Sequence, residues 1–189
     1  MKHKKLVIPI VLISLFVVAF AIFYAVPKKL NNNISFDIVV YDTDEEKVEA
    51  YDEIHIIHIN KNIGVRQYRG KDSTNVPFTI YSFDNIYSLK STQKLTNNLV
   101  FYGGLTPMRF MSIIVGNDFP LINEVYLVFS PIITNDRIKL GDLSLHTNYC
   151  KEHLEGYDLS KPIEEQNENI LAIYNRYKKA IDNVYNKLT

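Results

Sequence analysis

The longest uninterrupted apolar stretch of the chain is residues 6–26, which carry no charged side chain and follow Met1-Lys2-His3-Lys4-Lys5. At about 1.5 Å per residue, a helix over this run reaches roughly 31 Å, the thickness of a bilayer hydrocarbon core. Fifteen of its residues are Leu, Ile, Val or Phe, enough to favour insertion despite Pro9 and Ser14. Pro9 falls in the first turn, where a missing N–H does least harm. A soluble helix keeps a polar face, and this run has none. The pattern therefore predicts one N-terminal transmembrane helix that acts as a signal anchor.

Ala19-Phe20-Ala21 supplies the rival reading, a secretory signal cleaved near Ala21. The apolar run continues through Ile22, Phe23 and Tyr24, and Tyr24 with Lys28 and Lys29 has the make-up of an interfacial anchor, which favours the uncleaved form. Lys2, Lys4, Lys5 and the terminal amine outweigh the two lysines beyond the run. Residues 1–5 are thus expected in the cytoplasm, and the body of the chain outside.

Residues 27–33 read as a short polar tether, and residues 34–189 as one extracytoplasmic α+β domain. Apolar and polar positions alternate over 34–41, which predicts a strand with one buried face. Thr43 followed by Glu46 is a capping-box signature, so a short acidic helix is expected over 44–52, with Val48 and Tyr51 turned inward. Isoleucine on both faces of 53–60 predicts an interior strand; a turn at Lys61-Asn62 would lead to a partner strand over 64–69, and 77–83 reads as another. Residues 85–97 are ambiguous, since Ile86, Leu89 and Leu95 permit a helix that their Ser and Thr neighbours weaken.

From residue 99 onward Gly, Pro and Asn-Asp pairs separate apolar runs, which predicts a hairpin meander with strands over 109–115, 124–129 and 137–145. Ile170, Leu171, Tyr174, Tyr177, Ile181, Val184, Tyr185 and Leu188 recur at three- and four-residue spacing. They predict an amphipathic helix over 162–188, capped by Ser160 and with Pro162 in its first turn. The expected architecture is a mainly antiparallel sheet packed against this C-terminal amphipathic helix, preceded by the transmembrane helix.

Charge sharpens the picture. Five of the 21 Lys and Arg lie in residues 1–29 and none of the 21 Asp and Glu does, so the remainder has a net charge of 16 − 21 = −5. An acidic body has no electrostatic footprint for nucleic acid and is repelled by anionic headgroups. Cys150 is the only cysteine, so no disulfide forms within the chain and the core must supply stability. Abundant Asn, Lys, Ile and Tyr fit an AT-rich bacterial genome.

Candidate chemistry is sparse. His146, Cys150 and His153 would share one face of a helix, with Glu152 or Glu155 as a further ligand, and thiolate with imidazole suits zinc. A strand over 142–145 would break that face. His55 and His58, an odd step apart on a strand, fall on opposite faces and are expected to be satisfied by neighbours. Asp42, Asp44 and Glu53 match a calcium-loop template whose sixth position is Lys47 instead of Gly, so the acidic run reads as a solvated helix face. Gly103-Gly104 lacks the Lys-Ser/Thr of a phosphate loop, and Ser91-Thr92-Gln93-Lys94 fits S-x-x-K only as a bare pattern.

The sequence assigns no catalytic residue, no cofactor and no metal ligand. The expected function is a membrane-anchored extracytoplasmic binding or accessory module, non-catalytic, with a protein or cell-envelope partner and no nucleic acid. Its alternative is a membrane-tethered enzyme using His146, Cys150 and His153.

Overall fold

The computed structural model describes residues 14–18, 28–30, 41–69, 75–105, 110–113, 118–132, 139–145 and 150–187. Chain order runs β1 (Lys28–Leu30), α1 (Asp44–Ala50), β2 (Glu53–Arg69), β3 (Asn75–Lys90), β4 (Asn98–Leu105), β5 (Phe110–Ile113), β6 (Val125–Ser130), β7 (Leu143–Leu145), β8 (Lys151–His153) and α2 (Glu168–Lys187). The fold is α+β: a curled, mostly antiparallel sheet and a C-terminal helix, with strand order β1-β5-β4-β3-β2-β6-β8 and β7 beside β4. Among the described residues no helix is long and apolar enough to cross a membrane; of residues 6–26, only 14–18 are described, and they are helical. The strand expected over 34–41 lies outside the described residues except for Tyr41.

Local signals produce α1 as expected. Thr43 has extended backbone angles, and its hydroxyl accepts from the Glu46 N–H. The Glu46 carboxylate reaches back one residue further than a capping box requires, accepting from the Asp42 N–H at 3.1 Å. Val48 is buried; Tyr51 is buried too, but as the C-cap residue beyond the helix.

The expected turn at Lys61-Asn62 is absent, and β2 runs through it, paired with β3 from Ile54 to Arg69 apart from bulges. Register shifts at Ile59/Lys61 and Asn62/Gly64 absorb the polar pair, and such bulges bend a strand and increase its twist. Long-range pairing thus overrides a local turn signal. The same partner draws the ambiguous stretch into β3 as far as Lys90. Gly104, at φ 155°, lets this curled arm close: a Cβ there would sit 2.8 Å from Thr79 Oγ1 and 2.9 Å from a Val65 methyl.

The meander is also corrected. β6 pairs with β2 and not with its neighbour β5, and β7 lies parallel to β4. Lys151–His153 form an unexpected edge strand antiparallel to β6. The C-terminal helix begins at Glu168, with Asn167 Oδ1 accepting from the Ile170 N–H at 3.1 Å. Ser160 instead donates to Asp158, and residues 163–165 form a separate 3-10 turn after Pro162. The buried Gln166 explains the late start: its amide donates to the Asp158 and Lys161 carbonyls and accepts from the Asp158 N–H, folding 158–166 into a loop.

Two apolar faces result. Phe129 on β6 meets Tyr51 in a tilted and Tyr177 in an edge-on ring contact, which places Phe129, Leu127 and their cross-strand neighbours Ile54 and Ile56 under α2. Val128, Tyr126, His55 and Ile57 alternate to the other face, where the curled sheet covers them; there the Ser144 N–H donates to Ser130 Oγ, tying β7 to β6.

Candidate functional site

The short strand β8 decides the fate of the His/Cys cluster. Alternation sends Cys150 and Glu152 toward α2, and Lys151 and His153 to the opposite face. Cys150 is 2% exposed, with its Sγ 3.3 Å from the Tyr51 hydroxyl. His153 is exposed, with Nε2 3.0 Å from Glu124 Oε2. Cys150 and His153 therefore share no site, because the segment is strand and not helix. His146 lies outside the described residues, among which no group of three or more His, Cys, Asp or Glu is placed to hold a metal.

Glu152 belongs to a charged lock between the sheet and both helices. Its carboxylate accepts two hydrogen bonds from Arg176 Nη2, at 2.8 and 3.0 Å, and one from the Tyr177 hydroxyl. Lys47 Nζ lies 3.6 Å from the same carboxylate and 3.9 Å from the Phe129 ring centre. Burial lowers the Lys47 pKa, with Glu152 opposing, and burial raises that of Tyr177, with Glu152 adding to it.

On the other face, β6 and β8 frame a cleft of about 330 Å³ lined by Asp118, Phe119, Leu121, Tyr126, Lys151 and His153. Cross-strand pairing sets Tyr126 against His153, and their rings stack at 4.9 Å. The Tyr126 hydroxyl accepts from the Leu121 N–H at 2.9 Å, which fixes the loop that forms one wall. Burial lowers the Lys151 pKa, with Asp118 opposing. An aromatic platform with one ammonium and carboxylates at its rim suits binding of a polar ligand.

A third constellation escaped the sequence reading. Glu53, expected on a solvated helix face, is fully buried at the start of β2. Its carboxylate accepts from Thr92 N and Thr92 Oγ1, at 2.7 and 2.6 Å, and from Ser91 Oγ at 3.1 Å. His55, two residues on and so on the same face, is also fully buried. One ring nitrogen, Nε2, is 2.7 Å from Glu53 Oε2, and the other, Nδ1, is 2.9 Å from Ser88 Oγ. Asn85 Nδ2 donates to the same Ser88 oxygen at 2.9 Å.

Two bulges build this arrangement. The register skips Leu89 between Ile54/Lys90 and His55/Ser88, and skips Ile86 between Ile56/Tyr87 and Ile57/Asn85. The second skip brings Asn85 to the side of Ser88. Burial tends to raise the Glu53 pKa, but the Thr92 and His55 hydrogen bonds outweigh it and hold the carboxyl below its ordinary value. Burial likewise holds His55 below its ordinary value against the pull of Glu53, so the imidazole is neutral near pH 7. The sequence signal was Glu-x-His on a strand; Ser88, 33 residues away, left none. His58 differs from its expectation too: its Nε2 is buried with no hydrogen-bond partner among the described residues. No family model and no curated protein sequence matches the chain.

Proposed function

We propose that the chain is a membrane-anchored extracytoplasmic module that binds a protein or cell-envelope component through the cleft between β6 and β8. The cleft carries the reading, because it joins a stacked Tyr126–His153 platform to a partly buried ammonium at Lys151. Anchoring rests on the uncharged run 6–26. Residues 14–18 are helical, and Leu15, Phe16, Val17 and Val18 are each more than half exposed, a surface that suits lipid and not water. Lys28–Leu30 lie parallel to β5, only one residue beyond that run, so an anchor over 6–26 would keep the β1 edge of the sheet at short range from the bilayer. The net charge of the remainder argues against a nucleic-acid partner.

The enzyme reading built on His146, Cys150 and His153 finds no support in the opposed placement of Cys150 and His153. Two experiments test the binding module. Surface protease on whole cells is expected to degrade the C-terminal portion while the intact chain stays with the membrane fraction; a protected C-terminus or a cytosolic chain overturns the topology. A photocrosslinker at the exposed Leu121, in native membranes, is expected to give one reproducible adduct that is lost in His153→Ala. An adduct indifferent to His153 and Lys151 substitutions removes the cleft from the account.

A further inference from the structure

We propose that Ser88 is an activated nucleophile and that the chain hydrolyses small esters, an activity beyond the binding function and independent of the cleft. The roles of the three groups follow by elimination. Glu53 accepts every hydrogen bond it makes with Thr92, as an ionised carboxylate does. His55 Nε2 must then carry the proton it donates to Glu53, which leaves Nδ1 with a lone pair. Asn85 Nδ2 can only donate, so it occupies a lone pair of the Ser88 oxygen. The Ser88 proton is therefore directed at His55 Nδ1, 2.9 Å away. This is a nucleophile, a base and an orienting carboxylate in sequence, recognised by geometry and not by position along the chain.

Burial separates this from an ordinary polar network. Glu53 and His55 are sealed from water, whereas Ser88 is exposed, so the relay opens to solvent through its hydroxyl. Bulges on both sides of Ser88 hold it in place, and bulges commonly re-aim side chains at sites of function. In the reaction, Ser88 Oγ bonds to the ester carbonyl carbon as its proton passes to His55 Nδ1. The C–O bond to the alcohol then breaks and His55 returns that proton to the departing oxygen, leaving acyl-Ser88. A water arriving from the exposed Ser88 side adds to the acyl carbon as its proton passes to His55 Nδ1, Ser88 leaves with that proton, and the carboxylic acid is released. Glu53 stays ionised throughout and steadies the imidazolium, as a positioning residue. The second N–H of Asn85 is the donor at hand for the developing oxyanion.

The test uses the full-length chain in detergent micelles, with an alkyl fluorophosphonate as covalent probe and p-nitrophenyl acetate as substrate. One phosphonyl adduct is expected, mapped to Ser88 by mass spectrometry and absent in Ser88→Ala, with acetate release at least 100-fold above Ser88→Ala. Labelling is expected to slow only at a pH below the ordinary imidazole value, where His55, held low by burial, takes up the proton it must be free to accept. Glu53→Gln is expected to slow labelling at least 100-fold while Asn85→Ala slows it about tenfold. The pH profile is read on the unmodified chain and needs no variant to fold. Absence of a Ser88 adduct, labelling at other serines to the same extent, or a rate that stays flat from about pH 8 down to the onset of acid unfolding overturns the proposal and leaves the network a purely structural one.

Discussion

The strands β2, β6 and β8 carry a polar network on each face, and the two are satisfied differently. Under α2, Glu152 gathers Lys47 from α1 and the neighbours Arg176 and Tyr177 from α2, and each of these groups is engaged by others of the set. On the curled face, Glu53, His55 and Ser88 come from two adjacent strands, and the series ends at an exposed hydroxyl. A saturated network fastens elements together, since removing one member strands the others. A network with one end in solvent can also present a group to something else.

Glu152→Ala gives the sharpest break of this comparison. It removes the acceptor of a lysine that is only 13% exposed, and the partial exposure of Glu152 places the expected loss at about 2–3 kcal/mol, below that of a fully buried pair. Denaturant unfolding in detergent measures it. Labelling of Ser88 should be unchanged; a parallel fall in labelling would show that the two faces are not independent.

Acid should act mainly on the other face. His55 is held below its ordinary 6.5, so as pH falls from 6.5 toward its folded value the unfolded chain binds a proton that the fold refuses, and stability drops. Glu53 is held below its ordinary 4.5, so its contribution is present above that pH and is lost as pH falls through the folded value. Glu53→Gln should cost about 1–3 kcal/mol at pH 7 and flatten the decline below pH 4.5, read from unfolding midpoints across a pH series. A wild-type profile that is flat between pH 7 and 4 would sink this assignment.

Cys150→Ser should have the smallest effect, under about 1 kcal/mol, because a hydroxyl can keep a hydrogen bond with Tyr51. The buried thiol should react with water-soluble thiol reagents only on unfolding, and zinc should not raise the melting temperature of the wild type. Stabilisation by zinc that disappears in Cys150→Ser would restore the metal reading.

The parts legible in the sequence are those whose cause is local. Thr43 and Glu46 mark α1 because a cap satisfies N–H groups within four residues of itself. The three- and four-residue spacing of Ile170, Tyr174, Tyr177, Ile181 and Val184 marks α2, since one buried stripe is all that an amphipathic helix needs. The helix starts later than the spacing predicts because Gln166 satisfies carbonyls of the preceding loop, a contact no periodicity encodes. Three-residue strands such as β7 and β8 are too short to carry a period at all.

The sequence by itself determined an α+β body, a C-terminal amphipathic helix, a lone thiol and an acidic remainder behind an uncharged N-terminal run, because composition and periodicity follow from residue order alone. Tertiary structure decided that β2 runs straight through Lys61-Asn62, that Cys150 and His153 part company, and that Glu53 and His55 meet Ser88. Strand partners and bulges fix these outcomes, and pairing energy depends on residues dozens of positions away, beyond the reach of any local pattern.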